Sequence, residues 1–136
     1  DKGIAYTNFA HQSDSVAFQL DIAKAALLLD AADAFAFRAT EEIDRPAELG
    51  TYPDYLPRAR NRAYVGWIVE HVSRAIEMLL TAHGSGSFAE VNPLQRLWRD
   101  QAVAARHAFV LPALGYELYG KARLGREDGD TVTPLV

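Results

Sequence analysis

Val16, Leu20, Ala23, Leu27, Ala31, Ala34 and Phe35 recur at steps of three and four residues, an apolar stripe at the helical period that runs for roughly eight turns. The stripe predicts a helix from about Asp14 to Asp44, capped by Ser13 or Asp14 and stopped by Pro46 with Gly50. A second stripe, Tyr64, Ile68, Val72, Ala75, Ile76 and Leu79, predicts a helix from near Asp54 or Pro57 to Gly84, a residue type suited to the left-handed position after a helix end. His83 falls in its last turn, where the helix dipole favours a protonated imidazole.

The cluster Gly84-Ser85-Gly86-Ser87 breaks the chain. Asn92-Pro93, with Gln95 three residues after the cap, then starts a third helix through Leu94, Leu97, Trp98, Ala102 and Ala105. Pro112 ends, kinks or restarts that helix ahead of a fourth segment through Leu114, Leu118, Tyr119 and Ala122, closed by Gly125. Residues 1–12 lack a helical period, and residues 126–136 read as an extended or mobile arm. The pattern predicts one all-α domain over residues 1–136, an antiparallel (up-down) four-helix bundle.

Composition excludes several functions. The 14 basic and 18 acidic residues leave a net charge of -4, which offers no footprint for nucleic acid or anionic lipid. The longest apolar stretch, Ala108 to Tyr116, is interrupted by Pro112 and Gly115 and falls far short of the roughly 20 residues that span a bilayer. Cysteine is absent, which removes disulfides and thiolate sites and suits a cytoplasmic protein. No Glu is followed by His three residues later, and His11, His71, His83 and His107 show no spacing of three to five, so no metal site is predicted. The chain starts at Asp1 without a methionine and is expected to be the C-terminal part of a longer one.

The informative stretch is Asn92-Pro93-Leu94-Gln95-Arg96-Leu97-Trp98-Arg99-Asp100, followed by Ala105-Arg106-His107-Ala108. Gly84 to Gly86 followed by Pro93, Arg96, Arg99 and Asp100 resembles the Gly-rich turn and Pro-x-x-Arg-x-x-Arg-Asp helix of the acyl-CoA dehydrogenase superfamily. The resemblance extends over essentially the whole chain. Phe9-Ala10 and Gln19 sit roughly where family members carry Phe-Gly and flavin-proximal glutamines. Tyr6 replaces an arginine and Ala10 the glycine, so no cofactor-phosphate contact is carried over at that end.

Within the superfamily, Arg99-Asp100, Arg106-His107 and the run Gly115 to Ala122 resemble the two-component monooxygenase branch. The resemblance implies the C-terminal domain of a hydroxylase acting on a phenol, polyketide or steroid-like ring. It implies FAD or FMN, delivered reduced by a separate flavin reductase, a small-molecule substrate, and assembly as a homotetramer. It places Gly84, Ser85 and Gly86 near a flavin of a neighbouring subunit, and Arg99 with Asp100 at the helix start that borders the flavin. His107 is implied as the catalytic residue, on the side where dehydrogenases carry a glutamate.

Two alternatives stand beside this. A dehydrogenase needs a carboxylate to remove a thioester's α-proton; none lies between Asp100 and Glu117, but Asp14 or Asp21 on the first helix would serve. A bundle with no self-sufficient site also fits a non-catalytic helical oligomerisation module. Trp67, Trp98, Tyr116 and Tyr119 fall in apolar stripes and are expected in the core.

Overall fold

A computed structural model of the chain describes residues 2–128 and 131–136. Residue 1 of the expected N-terminal arm and residues 129 and 130 of the C-terminal arm lie outside the described residues. Four helices follow in order, α1 Val16–Glu48, α2 Tyr55–His83, α3 Pro93–Ala104 and α4 Pro112–Arg123. Short 3-10 turns cover Gln12–Asp14, Ser85–Phe88 and Ala108–Val110, and the described residues contain no strand.

The ends of α1 differ from expectation. Gln12–Asp14 wind into the 3-10 turn, so the cap falls on Ser15, whose Oγ accepts from the Phe18 amide at 3.5 Å. Pro46 does not stop the helix; it lies inside the last turn, and α1 runs on to Glu48. A proline this close to the end forfeits one helical hydrogen bond, to the Glu42 carbonyl, while its fixed φ suits the helix. Gly50, at φ 65, makes the stop, and the Gly50 and Thr51 amides close back on the Ala47 and Pro46 carbonyls.

α2 is the central rod, and α1, α3 and α4 each pack against it. α1 runs antiparallel to α2: Glu42 pairs with Arg60, Phe35 meets Tyr64 and Trp67, and Gln12 reaches the Ala82 carbonyl. α3 also runs antiparallel to α2, with the Trp98 indole donating to Glu77 at 2.6 Å and Gln101 to Ser73. Pro112 restarts the chain without reversing it. α4 continues in the direction of α3 along the N-terminal half of α2, Pro112 against Gly66 and Gly115 against Arg62.

Small side chains fill the helix contacts: Ala25, Ala32, Ala59, Ala63 and Ala75 are buried, with Leu80 and Leu118. Alanine and glycine let helix axes approach, so the larger apolar groups lie beside the contacts. Phe35 stacks on Tyr64 with centroids 4.8 Å apart and meets Trp67 edge-on, and Trp67 stacks on His71. Glu42 clamps α1 to α2 by accepting twice from Arg60, at 3.2 and 2.8 Å, and once from Arg38 at 3.1 Å.

Most of the stripe that marks α1 in the sequence faces outward, and only Ala31 and Phe35 of it are half-buried. Val16 is 66% exposed, Leu20 51% and Leu27 68%, because Ala25 and Ala32, outside that stripe, join its last residue Phe35 in meeting α2. α1 is therefore apolar on two faces, of which one is covered. Total accessible surface is 9101 Å², against roughly 7,000 Å² for a compact monomer of this mass.

Candidate functional site

The chain before α1 folds back on the end of α2. The Gln12 amide donates to the Lys2 carbonyl at 2.7 Å, and its side-chain Nε2 donates to the Ala82 carbonyl at 2.9 Å, 70 residues away. These bonds place Lys2 to Ala5 beside the last turn of α2 and the first turns of α1, around an open cleft of about 610 Å³. Gly84, Ser85 and Gly86 form one wall, and Phe18 and Asp21 of α1 line the other.

Local chemistry shapes that wall. Gly84 takes φ 80, which ends α2 cheaply only for glycine. Asn92, read from sequence as a helix cap, does more. Its Oδ1 accepts from the Leu94 amide at 3.0 Å, while its Nδ2 donates to the Gly86 carbonyl at 3.2 Å and contacts His83 Nε2 at 3.0 Å. The turn is thereby tied both to the end of α2 and to the start of α3. A Cβ on Gly86 would meet the Lys2 ammonium at 3.4 Å, and one on Gly84 would meet nothing within 4 Å. Bare backbone and one cation thus face the same space.

His107 sits elsewhere. It lies beyond the end of α3, caps the Ala108–Val110 turn, and is exposed. Its Nδ1 accepts from the Phe109 amide at 3.2 Å, and the Phe109 carbonyl accepts from Arg62 Nη1 on α2 at 2.6 Å. From Arg62 to Gly84 is 22 residues of α2, roughly 33 Å at 1.5 Å per residue. His107 and the Gly84–Gly86 cleft therefore occupy opposite ends of the central helix. Arg99 joins neither, since its side chain is 61% exposed on α3 and pairs at 3.7 Å with an equally exposed Asp100. Such a surface pair contributes little stability.

Of the aromatic residues expected in the core, Trp67, Trp98 and Tyr119 are half-buried. Tyr116 is 39% exposed, and its hydroxyl donates to Glu70 at 2.6 Å. Partial burial, with that carboxylate beside it, pushes the phenol up to about 12. Gln12, Asn92 and Arg62 are the residues whose part in the site the sequence does not announce. Among the described residues, no three metal-ligating side chains converge and no helix is long and apolar enough to cross a membrane.

Residues 2–112 match the family described as acyl-CoA dehydrogenase, C-terminal domain. Among solved structures, XiaF from Streptomyces sp., in complex with FADH2 and glycerol, is similar in fold with a TM-score of 0.88 and 41% identity. The match covers 91% of this chain and 31% of XiaF, so the chain spans about a third of that protein's length. No curated protein matches. With the helical order, the Gly-rich turn and the Pro93 helix all in place, the chain belongs to the acyl-CoA dehydrogenase C-terminal domain family.

Proposed function

We propose that this chain is the C-terminal domain of a cytoplasmic flavin-dependent monooxygenase that hydroxylates an aromatic or polyketide-like ring. The observation that carries the reading is the presentation of His107. A backbone amide can only donate, so the Phe109 N–H at Nδ1 leaves the proton of the neutral imidazole on Nε2, on the far side of an exposed ring. No Asp or Glu lies between Asp100 and Glu117. The connector that holds His107 therefore carries a hydrogen-bond donor and no charged base.

The cleft at the other end would take the phosphate end of a flavin nucleotide on the Gly84–Gly86 wall, where backbone is exposed and Lys2 adds a cation, with Asp21 the carboxylate on the far wall. When bound, reduced flavin, delivered by a separate reductase, would supply the electrons for oxygen activation. The similarity to XiaF, which holds FADH2, supports this cofactor class. The protein's share is to orient, to exclude water and to donate a hydrogen bond from His107 Nε2. One isoalloxazine ring cannot touch both ends of α2, so the turn serves a flavin whose reactive ring lies at His107 of another copy. Self-association follows, and the uncovered face of α1 together with an excess surface of about 2,000 Å² supports it.

The test is His107→Ala in the whole protein supplied with reduced flavin. Acid or base help is typically worth 10²- to 10⁴-fold, so product formed per oxygen consumed should fall at least tenfold, with hydrogen peroxide in its place. Coupling equal to the parent's would sink the assignment. Asp21, half-buried in the cleft, keeps a dehydrogenase reading in view; bleaching of oxidised flavin by an acyl thioester under anaerobic conditions would favour it.

A further inference from the structure

We propose that Arg62 is a positioning residue for His107, acting through Phe109; the inference rests on the reading of His107 as a hydrogen-bond donor. The connector between α3 and α4 has only short turns to hold it, yet one residue in it is gripped at three points. The Phe109 carbonyl accepts from Arg62 Nη1 at 2.6 Å, its ring lies 3.8 Å from the guanidinium carbon, and its amide donates to His107 Nδ1 at 3.2 Å. Arg62 thus holds, by carbonyl and ring, the residue whose N–H decides which imidazole nitrogen carries the proton. It can do so because it is itself pinned: its carbonyl packs against the α-carbon of Gly115, where a side chain would collide with it.

A stabilising role alone does not account for Arg62. Among the described residues it has no carboxylate partner, and its Nε is buried without a hydrogen bond. Partly covering a cation that has no carboxylate partner costs stability, whereas the carbonyl and ring contacts it gains act on one residue, Phe109, whose amide meets His107. His71 offers an internal contrast. Its Nδ1 lies 2.8 Å from the Trp67 carbonyl, an oxygen that can only accept, so this histidine carries its proton on the opposite nitrogen.

The experiment is Arg62→Met in the whole protein, which keeps an apolar stem on the Phe109 ring and removes the donor to its carbonyl. Long-range proton–nitrogen NMR of labelled histidine, with the His107 signals located by His107→Ala, should show the Nε2–H form at His107 and the Nδ1–H form at His71 in the parent. In the variant, His107 should become a mixture of the two forms while His71 is unchanged. Coupling of oxygen to product should fall about tenfold, within the range a misplaced catalytic group costs. In a His107→Ala background, Arg62→Met should add nothing. An unchanged His107 tautomer, or an undiminished loss of coupling in that background, overturns the proposal. If His107→Ala alone couples normally, the functional reading falls while the tautomer test still decides the positioning. Should Arg62→Met not fold, Arg62→Lys, too short to hold carbonyl and ring together, replaces it: a mixed His107 tautomer supports the proposal and an unchanged one overturns it.

Discussion

Two glycines of α4 separate a packing requirement from a merely tolerated residue. A Cβ built on Gly115 would lie 2.9 Å from the Arg62 carbonyl carbon, nearer still to its oxygen, and 3.1 Å from the α-carbon of Ala63. These are backbone atoms of α2 and cannot rotate away. A Cβ on Gly120, five residues along, would meet nothing within 4 Å. Both residues lie within α4 and neither has positive φ, so alanine should gain each about 1 kcal/mol of helix propensity. At Gly115 the overpacking, typically 1–3 kcal/mol and at the upper end against rigid backbone, outweighs that gain and leaves a net loss of about 1–2 kcal/mol. Gly120→Ala should therefore raise the melting temperature and Gly115→Ala lower it. At about 3–5 °C per kcal/mol for a domain of this size, the two should differ by roughly 10 °C in calorimetry. Equal shifts of the same sign would refute the claim that Gly115 sets the α2–α4 distance.

Two further outcomes follow from the structure. Tyr116 is held as the neutral phenol, with a pKa of about 12 against an ordinary 10, first by burial and then by its hydrogen bond to Glu70. A raised folded-state pKa means that the folded chain binds the proton more tightly, so this contribution is complete below pH 10 and lost between pH 10 and about 12. Ultraviolet titration should show one tyrosine ionising after the others, and Tyr116→Phe should remove it; six tyrosines titrating together would count against the assignment. Self-association should appear in sedimentation, and Leu20→Glu with Leu27→Glu on the exposed row of α1 should weaken it. A monomer at every accessible concentration would contradict the second-copy reading of that face.

The helices were legible because their signals are local. Stripes at three-and-four spacing, Asn92-Pro93 and the Gly84–Ser87 breaker mark α1, α2, α3 and the turn at nearly their observed places. Pro46 misled because a proline blocks only the bond to the residue four before it, and near a helix end little is lost. The direction of α4 was not readable at Pro112. It depends on Gly66 and Gly115 meeting residues 46 and 53 positions away. The Gly84–Gly86 wall was visible as a motif, while Gln12 and Arg62 carried no local signal, since the groups they hold lie 70 and 47 residues off. The outward turn of the Val16–Leu20–Leu27 row was hidden for a related reason: periodicity says that a row is apolar, not which neighbour covers it.

That row bears on how the two candidate sites are joined. Contacts built from alanine let α1 and α4 approach α2 closely, and they leave Leu118 as the one large apolar side chain with no exposure among those described. The interior alone does not use the apolar content of α1, and the surplus lies on its outer face. α2, meanwhile, is a rigid spacer that holds the Gly84–Gly86 cleft and His107 roughly 30 Å apart, and no motion of a side chain closes that gap. A second copy laid on the outer face of α1 would answer both facts at once. It would cover the apolar row, and it would let the turn of one chain serve the histidine end of another. On the proposed reading, then, charges placed on that row should cost oxygen coupling as well as association, even though Leu20 and Leu27 touch neither Gly86 nor His107.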